Sequence, residues 1–287
     1  MNGRRTISEI IEPKYVMEGA GVLLRRSISP QASNRYDPFL LFDHFAFNDP
    51  AEGPIRGFPM HPHRGIETVT YIIKGSVNHR DSLGNSGSIG PGDVQWMTAG
   101  GGILHEEMPL RGPEGIIDGF QLWVNLPASL KMSPPRYQEV KSSTIPIFEN
   151  KGCRVRVIAG KVESFQGPVT GIAASPLYLD VQLSAGASYY QPVSVGHTVL
   201  AYIYAGGGII GETEVTAVNM VVFGAGSQIE ARAGVSKLHF MLMAGLPFME
   251  PIVPYGPFVM NTRQEIQQAL DDLKNGSFVY EGPKRLG

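Results

Sequence analysis

Cysteine is nearly absent. Cys153 is the one thiol in 287 residues, so no internal disulfide and no thiolate metal cluster can form, and a reducing compartment, the cytoplasm, is the natural expectation. An excess of either charge is missing as well: 24 Lys and Arg stand against 26 Asp and Glu. So balanced a chain has little long-range attraction for phosphate backbones or anionic lipid, and without a Lys/Arg cluster direct nucleic-acid binding is not expected. Long apolar runs are also lacking. The stretch from Leu238 to Met249 falls well short of the roughly 20 residues that span a bilayer, so no membrane association is expected. Arg4 and Arg5 could open a twin-arginine export signal, but Glu9, Glu12, Lys14 and Glu18 break the apolar segment it requires, and an ordinary N-terminus is expected.

What the chain does have is punctuation. Its 35 Gly and 22 Pro separate short β-branched runs such as ETVTYIIK (67–74), LYLDVQL (177–183) and VNMVVF (218–223), the pattern of an all-β protein built from short strands and tight turns. One segment departs from it. Thr262 and Glu265 form a capping-box pattern ahead of Ile266, Ala269, Leu270 and Leu273, with Gly276 just beyond, which predicts a short C-terminal helix. A weak repeat lays YIIKGSV (71–77) on YIYAGGGII (202–210), matching Gly75 with Gly206. Two copies of one β domain are therefore expected, with the boundary in the Ser- and Pro-rich stretch near 130–150: residues 1–135 and residues 136–287.

The chemistry is concentrated in two pairs. His61 and His63 are two apart, so along an extended strand both imidazoles leave the same face and can share one ion. His105 and Glu107 repeat that spacing after Gly100-Gly101-Gly102, and Gly90-Pro91-Gly92-Asp93 is a turn signal able to bring the second pair back beside the first. A lone histidine is more often a satisfied structural residue, but four donors in two matched pairs make a metal site. Three imidazoles and a carboxylate accept Fe, Mn, Co, Ni, Cu or Zn, and ligand type alone does not choose among them. Glu67 shares the parity of His61 and His63; in a regular strand it would point at the ion, its alternative being a salt-bridged strand residue. Glu106 should face away. His44 and His79 could line the cavity, but the surface is the expected place for each; His197 and His239 are expected in structural or surface roles, and Cys153 as a buried small residue. Phe58, Met60, Trp96, Met97 and Trp123 are candidates for an apolar wall, although a core role is the commoner one for each.

The runs GFPMHPHRGIETVTYIIKG and GPGDVQWMTAGGGILHEEMP, with DPFLLFDHF (37–45) and FVMNT (258–262), closely resemble the pirin family of the cupin superfamily, over nearly the whole chain. The resemblance implies two tandem cupin domains, each a jelly-roll β-sandwich, with one divalent ion, usually iron as Fe(II), held by His61, His63, His105 and Glu107 in the N-terminal domain. The general cupin pattern would use Glu67; the pirin pattern uses Glu107. The C-terminal domain is expected to lack ligands, since the repeat puts Pro192 and Ser194 where His61 and His63 stand, and Ile229 and Ala231 near the second pair. The family further implies a quercetin 2,3-dioxygenase, opening the central ring of a flavonol with dioxygen and releasing carbon monoxide, with Glu107 as base. The competing implication is a non-enzymatic metal- and redox-sensing regulator acting through a protein partner. A cupin isomerase or other small-molecule enzyme is a third expectation, because fold and ligands do not fix chemistry.

Overall fold

The structure, a computed structural model, describes residues 3–32, 35–46 and 57–279. The short runs between glycines and prolines form antiparallel strands, and the described residues contain one α-helix, Arg263–Asn275. The chain is the expected pair of all-β sandwiches, but its two compact units are not the two halves of the sequence. One unit is Met1–Pro13 with Ser143–Pro247, and the other is Lys14–Ser142 with Phe248–Gly287. Compared with the halves 1–135 and 136–287, both terminal segments have changed sides, because each finds its backbone partners there. Ile7–Ile11 pairs with Asn219–Phe223, Ile10 opposite Val221. Val259 N–H donates to the Arg64 carbonyl at 3.1 Å.

In the Lys14–Ser142 unit, seven strands form one sheet in the order Arg136–Val140, Val94–Thr98, Ile66–Lys74, Asp118–Asn125, Phe39–His44, Val22–Ile28 and Lys14–Glu18. Four more, Phe58–His63, Ile103–Leu110, Ser76–Asp81 and Ser86–Ile89, form a second sheet. Val22, Leu24 and Ile72 of the larger sheet pack with Val77 and Ile89 of the smaller in one buried apolar cluster, which closes the sandwich by removing both inner faces from water. A single register row crosses five strands of the larger sheet: Gln95, Thr70, Gln121, Asp43 and Arg26 are successive cross-strand partners. Directly opposed residues in antiparallel strands share a face.

The C-terminal segment completes this unit. Thr262 caps the helix and exchanges bonds with Glu265 in the expected capping box, and Gly276 closes it in the left-handed conformation at φ 74°. Ile266 and Ala269 are buried with Phe258, Met260 and Phe278. Arg64 reaches across to this segment, its guanidinium donating to Asp272 at 2.6 Å and to the Phe278 carbonyl at 3.2 Å. Lys131 is buried and donates to the carbonyls of Gly65 and Val259 and to Asn125 Oδ1, all within 2.9 Å. Gly65 is required where it stands: its φ is +80°, and a Cβ there would meet the Val259 oxygen at 2.2 Å.

The other unit is a nine-stranded sheet in which two long strands, Thr198–Ile210 and Gln228–Gly245, each pair with several neighbours. Its core is one large cluster of buried apolar residues. Ile229 and Ala231 are buried there, as the repeat alignment placed them, but Pro192 and Ser194 are exposed. The inward residues of that strand are Tyr189 and Gln191, whose side chains bond each other at 2.6 Å. The alignment thus slips by one residue on this strand, and one residue is enough to exchange the two faces.

Candidate metal centre

The two histidine-bearing strands lie side by side, with His61 directly opposite His105. The donor atoms of His61, His63 and His105 all fall within 4.8 Å of one another, the one such group of His, Cys, Asp or Glu found among the described residues. The i, i+2 spacing of His61 and His63 works as read from the sequence, since both rings leave one face of the strand Phe58–His63.

The hydrogen bonds around the rings fix which nitrogen faces inward. His61 Nδ1 lies 2.9 Å from the Pro59 carbonyl and His63 Nδ1 lies 3.2 Å from the Pro257 carbonyl. A carbonyl only accepts, so each Nδ1 carries the proton and each Nε2 is left with a bare lone pair. These two Nε2 atoms face each other at 3.1 Å. Burial lowers the His63 pKa to about 3, with the neighbouring His61 adding to the effect, and burial likewise lowers those of His61 and His105, so the rings are neutral. His105 is fully buried, and neither of its ring nitrogens has a hydrogen-bond partner. Opposed lone pairs and an unsatisfied buried imidazole are costly arrangements in a protein alone. A divalent cation resolves both, so the residues fit the metal that the fold implies.

Glu107 stands beside this group but is not within it. A register shift between His105 and Glu107 sets it opposite Phe58. Its carboxylate lines a cavity of about 360 Å³ together with His61 and His63. Thr70 Oγ1 lies 2.8 Å from Glu107 Oε1 and 2.8 Å from the side-chain amide of Gln121. One hydroxyl has one proton to give, so Thr70 accepts from one neighbour and donates to the other. Burial pushes the Glu107 carboxyl up to about 7, against the opposing effect of the Thr70 bond. Phe58 and Trp123 form part of the apolar wall, with the Trp123 ring edge-on to His63 at 5.1 Å, while Trp96 and Met97 are core residues and Met60 is exposed. Further along, Arg26 grips Asp43 through two bonds of 2.8 and 2.7 Å and reaches Glu18 at 2.8 Å. Burial raises the Asp43 carboxyl and would lower Arg26, but Asp43 and then Glu18 more than offset that and raise it. The two-point contact with a guanidinium, which stays protonated in proteins, keeps the pair ionised.

Several other positions differ from expectation. Glu67 does not reach the cavity. The strand is broken at Arg64-Gly65, so the parity of His61 and His63 is not carried through it, and Glu67 instead accepts from Thr98 at 2.8 Å. His44 is buried against Phe120 and bonded to Asp118 at 2.9 Å. His79 is buried behind His105, with Gln95 on Nδ1 at 2.9 Å and Asp81 at 3.5 Å from Nε2. The alternation of Val77, His79 and Asp81 along one strand is the signal that could have placed it inside. Glu106 faces the other way, as expected, and pairs with Arg80 at 3.0 Å. Thr70, Gln121, Asp43 and Arg26 were not foreseen as cavity residues; the alternation of Leu41, Asp43 and Phe45 pointed to one of them.

Comparison with known proteins agrees with this architecture. The Pirin family model matches residues 21–124, and the model of the Pirin C-terminal cupin domain matches residues 178–279. A pirin-like protein of Caulobacter vibrioides is 43% identical over 276 residues, covering 96% of this chain and 99% of that protein. Pirin of Homo sapiens is 42% identical over 290 residues, covering 99% and 97%. The crystal structure of a quercetin 2,3-dioxygenase from Acinetobacter baumannii superposes with a TM-score of 0.87 at 34% identity, over 96% of this chain and 99% of that one.

Proposed function

This chain belongs to the pirin family, and on that premise we propose that it is a metal-dependent dioxygenase acting on flavonols of the quercetin type. The observation that carries the reading is the cluster of three neutral imidazoles, with His105 buried and both its nitrogens unsatisfied, beside a largely apolar cavity open to solvent. His61, His63 and His105 hold the ion through ring nitrogens, with Glu107 as the fourth donor. Fe(II) is the proposed occupant, although the donor set also accepts Mn, Co, Ni, Cu or Zn. When bound, the metal supplies Lewis-acid and redox chemistry next to the substrate.

The rest is done by the chain itself. Glu107, whose carboxylate lines the cavity beside the histidines, is placed to take the proton of the flavonol 3-hydroxyl, and Thr70 holds the carboxylate toward the cavity. Phe58 and Trp123 line the cavity with apolar rings against which an aromatic ligand can pack, keeping water away from the reacting carbons. The reaction consumes one dioxygen, releases one carbon monoxide, and retains the remaining atoms in a ring-opened ester.

The test uses protein loaded anaerobically with Fe(II) and then given air. Quercetin and oxygen should disappear together with carbon monoxide release, and neither metal-free nor oxygen-free protein should react. Glu106→Gln should keep metal and turnover, whereas Glu107→Gln should lose at least most of the turnover. Fully loaded protein that leaves quercetin untouched, while its oxidation changes binding to a co-purifying protein, would replace the enzyme reading with the regulatory one.

A further inference from the structure

We infer that Arg26, Asp43 and Glu18 form a recognition subsite which selects ligands carrying hydroxyl groups at the end remote from the histidines and rejects those carrying a carboxylate there. The inference rests on the flavonol reading above and adds to it a wall of the cavity with its own chemistry.

The register row supplies the geometry. Thr70, Gln121, Asp43 and Arg26 are consecutive partners across four strands, and all four line the cavity. Thr70 marks the end occupied by Glu107 and the histidines. Asp43 is two strands away, a distance of about 10 Å at the usual strand spacing. A ligand anchored beside Glu107 therefore brings its far end, one or two rings on, to the Asp43 and Arg26 wall.

The chemistry of that wall is acceptor-rich. Two carboxylates face one guanidinium, so the group as a whole is negative. Each Asp43 oxygen takes one bond from Arg26 and retains a lone pair for another donor. A phenolic hydroxyl can meet that need, while a carboxylate cannot and is also repelled. The surrounding Leu24, Leu41 and Phe45 side chains leave few other partners for these oxygens. A ligand without remote hydroxyls would expel water from them and return no hydrogen bond, and sites built in this way discriminate strongly.

The experiment compares binding of quercetin with that of 3-hydroxyflavone, which keeps the metal-binding hydroxyl and has no other. Quenching of tryptophan fluorescence, with Trp123 in the cavity wall, reports affinity in the anaerobic Fe(II) protein. Quercetin should bind tighter by about tenfold or more. That ratio should fall toward one in Glu18→Gln and in Asp43→Asn, and a carboxylated 3-hydroxyflavone should bind more weakly than its parent. Should Asp43→Asn fail to fold, Glu18→Gln, at a side chain 44% exposed, and the carboxylated ligand on the unaltered protein decide together. Equal affinities in the unaltered protein, or an unchanged ratio in the folded variants, overturns the subsite and leaves the dioxygenase reading in place. Failure of both flavonols to bind overturns both.

Discussion

Glu67 is a buried carboxyl whose ionisation costs the protein stability. Thr98 and Trp96 favour its ionised form, yet burial outweighs them and raises its pKa to about 7, from 4.5. Between those two values the folded chain holds a proton that the unfolded chain has released, so stability falls as pH rises from about 4.5 to 7 and stays lower above it. The loss is on the order of 3 kcal/mol. Glu67→Gln should remove that part of the slope: in urea titrations of metal-free protein, the difference between variant and parent should grow from pH 5 to pH 8 in the variant's favour. A constant difference would show that Glu67 does not titrate in this window. Glu67 also marks where reading single residues from sequence stops working. Two-residue spacing is local, and so the clustering of His61 and His63 could be read directly. Carrying the same parity past Gly65, at φ +80°, fails because the chain turns there from one sheet into the other. His79 is buried for a related reason that a histidine taken alone does not reveal: its neighbours Val77 and Asp81 carry the information.

At the scale of elements, the C-terminal helix and the strap leading to it show the same division. Thr262, Glu265 and Gly276 specify both ends of the helix within a few residues of it, so its position could be read from the sequence. What holds it in place could not. Lys131 bonds carbonyls 66 and 128 residues away, and a buried lysine is too rare to expect from sequence. Lys131→Met keeps the length of the side chain and leaves three buried acceptors without a donor. A loss of about 3 kcal/mol is expected, read as a lower denaturation midpoint, with limited proteolysis cutting first between residues 253 and 279. A variant as stable and protease-resistant as the parent would show that Lys131 is not the fastening.

For the molecule as a whole, the important fact is which segments belong together. The repeat and the Ser- and Pro-rich stretch revealed two β domains, but the exchange of terminal segments rests on pairings between distant residues that no local pattern records. Residues 1–135 contain His61, His63, His105 and Glu107, yet they lack the Pro257 carbonyl that orients His63 and the backbone that Lys131 grips. That fragment alone should bind metal poorly, and co-expression of Lys14–Ser142 with Phe248–Gly287 should restore about one equivalent by elemental analysis. Full metal content in the 1–135 fragment would contradict this. The same arrangement imposes an order on the making of the protein. A ribosome delivers the four candidate ligands well before it reaches Pro257, whose carbonyl sets the tautomer of His63. A nascent chain that has not reached Pro257 therefore displays the histidines without the finished centre, and loading with metal becomes an event that follows the emergence of that segment.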